Sequence, residues 1–179
     1  MRSYQYKSLI EFTEKYDINK LGKNDLIISD IDGVFLNGIF DPREILGVIS
    51  KENLEAFEKL LKTQTAFWFF TNRWAFFKHF PFIKQLSKSI NKTTTITPTI
   101  YSNCSQFLED RLQNYVIILN SMKPWSKSLK VVEKGIESFE KVVYVGAQDT
   151  PFYNTDKIVV NKLERSNINI DNLTFISIR

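Results

Sequence analysis

The chain of 179 residues is 43% hydrophobic and 25% charged, the balance of an ordinary soluble globular protein, and that length buries a core without disulfide or metal staples. Its net charge of +4 comes from scattered lysines with no long basic run, so no nucleic-acid footprint is indicated and the pull on anions is weak. The single cysteine, Cys104, excludes an internal disulfide, and no stretch approaches a signal core or a membrane span, so a reducing cytoplasmic setting is the expectation.

One domain over residues 1–179 is expected, without linkers or repeats. Residues 1–23 form an N-terminal helical extension, with Leu9, Ile10, Phe12, Thr13 and Tyr16 on an amphipathic helix over 3–16. The apolar run Leu26-Ile27-Ile28 is too short for a helix and reads as a strand buried on both faces, ending in Asp30 and Asp32. Residues 34–49 carry Gly38, Pro42 and Gly47, which breaks any helix and predicts a flap. Lys51 to Lys62 has Leu54, Phe57, Leu60 and Leu61 at helical spacing, with Ser50 as N-cap. A second buried strand runs from Ala66 to Phe70 and closes with Thr71-Asn72-Arg73, and a helix kinked near Pro81 follows to Ile90.

A third strand is expected within Thr93 to Tyr101, then an excursion with an apolar segment, Tyr115 to Leu119. Lys123-Pro124 opens a helix with Leu129, Val132 and Ile136 at helical spacing. Val142 to Val145 is a fourth buried strand, ending in Gly146-Ala147-Gln148-Asp149, and short strands are expected at Ile158 to Val160 and Leu173 to Ile178. Alternating strands and helices imply a mainly parallel sheet with right-handed crossovers.

In such a sheet Asp30/Asp32, Thr71/Asn72, Lys123 and Asp149 gather along one edge, where open α/β sheets bind ligands. Their types suit phosphoryl transfer. One carboxylate can be a nucleophile. A second can protonate the leaving oxygen and later deprotonate water. A hydroxyl and a lysine can hold phosphoryl oxygens, and Mg2+ can bridge acid and phosphoryl group. Each residue also has a plainer use: Asp30 and Asp32 as turn residues, Thr71 bonding its own turn, Lys123 as a solvated charge. His79, the only histidine, lies among Phe76, Phe77, Phe80 and Phe82 and reads as a packing or surface residue.

From about residue 24 to 160 the chain resembles the haloacid dehalogenase (HAD) superfamily, and within it the phosphatases. Asp30-Ile31-Asp32-Gly33-Val34 matches the first motif of that family, Thr71 with Asn72 the second, and Lys123-Pro124 the third. The resemblance implies a three-layer α/β/α sandwich with a Rossmann-like sheet, and Mg2+-dependent hydrolysis of a phosphate monoester through an aspartyl-phosphate. It implies Asp30 as nucleophile and Asp32 as general acid/base. Thr71, Asn72 and Lys123 would bind the phosphoryl group, and Asp30, the Asp32 carbonyl and a fourth-motif acid would hold the metal. An acid at position 32 favours ester over carbon–halogen cleavage, because an alkoxide leaving group needs a proton.

The fourth motif departs from the family pattern. Where the family has an acid directly after the strand-ending glycine, this chain has Ala147; the nearest acid is Asp149, and Asp156 lies further along the loop. Asp149 is therefore either a metal ligand or a cap before Thr150-Pro151. The short intervals between motifs leave no room for a large cap domain, and capless members act on macromolecular phosphates or, as oligomers, on small ones such as sugar or sugar-acid phosphates. No membrane partner is implied. The alternative is a catalytically weakened relative that binds a phosphorylated ligand or a protein partner.

Overall fold

The computed structural model describes residues 1–36, 48–71, 81–110, 116–120, 126–148 and 155–179, with the backbone alone at residues 71, 120 and 155. Its strands are β1 (Arg2–Tyr6), β2 (Asp25–Asp30), β3 (Ala66–Thr71), β4 (Thr99–Tyr101), β5 (Val116–Asn120), β6 (Lys141–Ala147) and β7 (Leu173–Ile178). The helices are α1 (Leu9–Lys15), α2 (Lys51–Leu61), α3 (Pro81–Thr93), α4 (Cys104–Glu109), α5 (Ser126–Ser138) and α6 (Thr155–Glu164), with a 3-10 turn at Ile18–Lys20. The strands form one seven-stranded sheet in the order β1-β7-β6-β2-β3-β5-β4, and every pairing is parallel.

Parallel strands need long crossovers, and here the helices supply them and cover both faces. One core joins Ile27, Phe67, Phe69, Val143 and Val145 to Phe12 of α1, Phe57 and Leu60 of α2, and Phe82 and Leu86 of α3. The other joins Leu26, Ile28, Trp68 and Tyr144 to Phe107 of α4, Val131 and Val132 of α5, and Val159 and Leu163 of α6. The fold is a three-layer, Rossmann-like α/β/α sandwich. Alternation along β2 therefore sends odd residues to one core and even residues to the other. Among the described residues no helix is long and apolar enough to cross a membrane.

The aromatic run of β3 is core on both sides. Phe67 and Phe69 lie 4.5 Å apart, Phe57 packs edge-on against them at 5.2 and 5.3 Å, and Phe35 closes the cluster 5.3 Å from Phe69. Such edge-to-face packing adds to the area the rings bury. Helix α2 starts where its sequence signals it, with the Asn53 N–H donating to Ser50 Oγ at 3.2 Å.

Three elements differ from the sequence expectation. Arg2–Tyr6 is a strand rather than the start of a helix, because it pairs in parallel with β7, Ser3 beside Phe175; the helix begins only at Leu9, capped by Ser8. Val116–Asn120, expected only as an apolar segment of an excursion, is a strand that pairs between β3 and the expected strand Thr99–Tyr101, which lies at the edge. Ile158 to Val160 is helical, because α6 buries Asp156, Val159, Val160 and Leu163 on one face, whereas the short apolar run alone suits either period.

Edge strand β4 is tied to the residue after α4 by the Tyr101 hydroxyl, which donates to Asp110 Oδ2. Burial first, then the Asp110 carboxylate, pushes the Tyr101 phenol up to about 12. A phenol raised in the native state contributes stability that is complete below its unfolded value near 10 and is lost as pH rises through about 12. Subtracting the alkaline absorbance titration of Tyr101→Phe from that of the wild type should isolate one phenol with a midpoint near 12; a midpoint near 10 contradicts this packing.

Candidate functional site

β2 is the strand from which the sheet grows in both directions. The chain goes from β2 to neighbouring β3 and onward to β5, and later returns to place β6 on the other side of β2. That reversal is a topological switch point, the position at which open α/β sheets leave a crevice beyond the carboxyl ends of the strands. Asp30 is the last residue of β2 and only 5% exposed. Its Oδ1 accepts the Ile31 N–H at 2.8 Å, while the same N–H reaches the Phe70 carbonyl of β3 at 3.1 Å. The Ser29 hydroxyl, fully buried, donates to the Asp30 carbonyl at 2.9 Å. The Ile31 N–H thus orients the Asp30 carboxylate, and the Ser29 hydroxyl engages the carbonyl of the same residue.

The backbone turns directly after Asp30. Phe35 and Leu36 N–H groups donate to the Ile31 carbonyl at 3.0 and 3.2 Å, and the Gly33 N–H to the Leu36 carbonyl at 2.6 Å. Asp32, half-buried, rides on this turn, bridged to Leu36. The far side of the turn is anchored: Phe35 enters the aromatic cluster, and Asn53 Nδ2 of α2 donates to its carbonyl at 2.9 Å. The opening of the expected flap, Val34 to Leu36, is therefore core; residues 37–47 lie outside the described residues.

Gly33 has φ +77°, a left-handed conformation that L side chains adopt at a cost. A Cβ placed there would fall 2.5 Å from the Cβ of Ala147, at the end of β6. The turn after β2 and the end of β6 thus meet backbone to methyl. Ala147 is 2% exposed, so where the resemblance led to the expectation of an acid this chain buries a methyl under Gly33.

Asp156 is the residue that sequence reasoning missed. The expectation of a strand near 158 left it out along a loop, but α6 begins at Thr155 and brings it back onto β6. Its Oδ1 accepts the Tyr144 hydroxyl at 2.8 Å and its Oδ2 the Ala147 N–H at 3.1 Å. The signal was present in the spacing of Asp156, Val159, Val160 and Leu163, one helical face.

Of the other expected site residues, Thr71 is the last residue of β3, one step beyond the pairing of Asp30 with Phe70, so its backbone borders the same edge. Asn72, Lys123 and Asp149 lie outside the described residues, as does His79. Strands β5 and β6 end at Asn120 and Ala147 on that edge. No group of three or more His, Cys, Asp or Glu is close enough to hold a metal among the described residues. Two carboxylates with backbone carbonyls nearby are nevertheless the hard oxygen donors that Mg2+ takes together with water. A groove of about 740 Å³ lined by Thr13, Tyr16, Asp17, Lys59 and Lys62 is at the opposite, amino edge of the sheet and does not include these acids.

No family model matches the chain, and no curated protein or solved structure matches it either.

The tight seam makes a direct prediction. Gly33→Ala meets both a left-handed φ and the Ala147 methyl, and should lower stability by about 2–4 kcal/mol in a urea titration. Gly22→Ala has open space around its new methyl and should shift stability by under about 0.5 kcal/mol. Equal effects of the two would contradict the seam.

Proposed function

We propose that the protein is a Mg2+-dependent phosphatase of the haloacid dehalogenase type, hydrolysing a phosphate monoester through an aspartyl-phosphate on Asp30. The observation that carries the reading is Asp30 at the carboxyl end of the central strand, at the switch point, with Asp32 two residues on in an anchored turn. Chain order adds support, since Thr71 closes the neighbouring strand and Lys123-Pro124 follows the strand beyond it.

In this reading an Asp30 carboxylate oxygen attacks phosphorus as the ester P–O bond breaks, and the departing oxygen takes the Asp32 proton. Asp32, now a carboxylate, removes a proton from water; the resulting hydroxide attacks phosphorus, the bond to Asp30 breaks, and inorganic phosphate leaves. The bond from Ile31 N–H to Asp30 Oδ1 holds the carboxylate in one orientation, so that attack needs no rearrangement. Thr71, Asn72 and Lys123 are assigned to the phosphoryl oxygens, Lys123 offsetting their charge. Mg2+, held by Asp30, the Asp32 carbonyl and Asp149, would neutralise the phosphoryl group and polarise it for attack. The substrate class is a small phosphorylated metabolite, a sugar or sugar-acid phosphate, or a phosphorylated macromolecule.

A second reading rests on Ala147. With a buried methyl in place of an acid, the chain would be a weakened relative that binds a phosphorylated ligand or a protein partner without turnover.

Hydrolysis of p-nitrophenyl phosphate separates the two. The phosphatase reading expects turnover that disappears with chelator, returns with Mg2+, falls to background in Asp30→Asn and drops by about 10²–10⁴-fold in Asp32→Asn. Full activity in Asp30→Asn rules it out, and Mg2+-independent ester binding without turnover supports the second reading.

A further inference from the structure

We infer that Asp156 is a positioning residue of the Asp30/Asp32 site: from the first turn of α6, its buried carboxylate fixes the end of β6 against both acids. Its effect on turnover rests on the phosphatase reading above; its placement does not.

Three observations carry the inference. The first is space. Gly146 precedes the end of β6, and a Cβ built on it would fall 2.5 Å from the Cβ of Asp156 and 2.9 Å from its Oδ2. Only a residue without a side chain lets the carboxylate lie this close to the strand.

The second is the bonding of a group with no exposure at all. A buried carboxylate is costly unless hydrogen-bonded, and the Tyr144 hydroxyl and the Ala147 N–H each engage one of its oxygens. Both of these donors belong to β6, so the carboxylate acts across from the helix to the strand.

The third is location. Leu26 and Ile28 of β2, Val142 and Tyr144 of β6, and Val159 and Leu163 of α6 share one core. Alternation puts Asp30 and Gly146 on that same face. They are also neighbours, each one step beyond the paired Ser29 and Val145. Asp156, lying over Gly146, is therefore beside the strand position of Asp30. The same carboxylate fixes the N–H of Ala147, whose methyl packs under Gly33, the residue after Asp32. One side chain thus steadies the floor under both acids.

The test is amide hydrogen exchange on the full chain, with kinetics beside it. In Asp156→Ala, exchange should quicken about tenfold or more at Ala147 and at Ile31, whose N–H the Asp30 carboxylate accepts. Amides of β7 such as Phe175 should keep their protection, and Asp156→Asn, which still offers an acceptor, should restore most of it at Ala147 and Ile31. Tyr144→Phe removes a single hydroxyl and should give the same pattern more weakly, which covers the case where Asp156→Ala does not fold.

With p-nitrophenyl phosphate, kcat should fall about tenfold to a hundredfold in Asp156→Ala while KM stays within about twofold. Faster exchange confined to Ala147, with Ile31 unchanged, overturns the positioning role, and so does uniform acceleration across the sheet. If the wild type hydrolyses no phosphate ester, the phosphatase reading falls, and exchange at Ile31 still decides the role of Asp156.

Discussion

All seven strands point the same way, and that constraint organises the molecule. A parallel pair cannot be closed by a tight turn, so successive strands are joined by crossovers, and in this chain helices cover both faces of the sheet. The strands in the middle are consequently apolar on both sides, as in Leu26-Ile27-Ile28 and Phe67 to Phe70. The same constraint collects every strand's carboxyl end on one edge. With β2 flanked by β3 on one side and β6 on the other, the two halves of the sheet diverge beyond Asp30. Polar groups distant in sequence are thereby delivered to one crevice.

At that crevice the backbone is packed more closely than ordinary side chains allow. Gly33 takes a left-handed turn against the Ala147 methyl, and Gly146 leaves room for Asp156. Gly33 is needed for its conformation and for space, Gly146 for space alone. Together they bring the turn carrying Asp32, the end of β6 and the start of α6 into a single seam. Stability and the geometry of the acids are coupled through it, since displacing any of the three parts shifts the backbone on which Asp30 and Asp32 stand. Asp30 and Asp156 also share one face of the sheet, and neighbouring carboxylates repel unless hydrogen bonds or a cation balance them. The bonds from Ile31, Tyr144 and Ala147 supply part of that balance. In the phosphatase reading Mg2+ supplies more.

Much of this architecture was legible before the structure. Strands β2, β3 and β6 stood out because each is a short run of large apolar residues closed by polar ones, and α2 announced itself through Ser50 and its apolar spacing. Two elements were misread for opposite reasons. Arg2–Tyr6 carries an exposed, polar sequence whose strand conformation depends on pairing with β7, at the other end of the chain. Ile158 to Val160 is β-branched and apolar, yet its burial against β6 makes it helical. In both cases long-range packing overrode local preference.

The sequence by itself determined the α/β class, the central strand and the placing of Asp30 and Asp32 at its end, because apolar period and turn chemistry are local. It also marked Ala147 as the position where an expected acid is missing. Only the tertiary structure decided that Asp156 stands against β6, that Gly146 exists to admit it, and that the turn after Asp32 rests on Ala147. Those are contacts between segments far apart in the chain, fixed when crossover helices dock on a sheet, and no spacing within one segment encodes them.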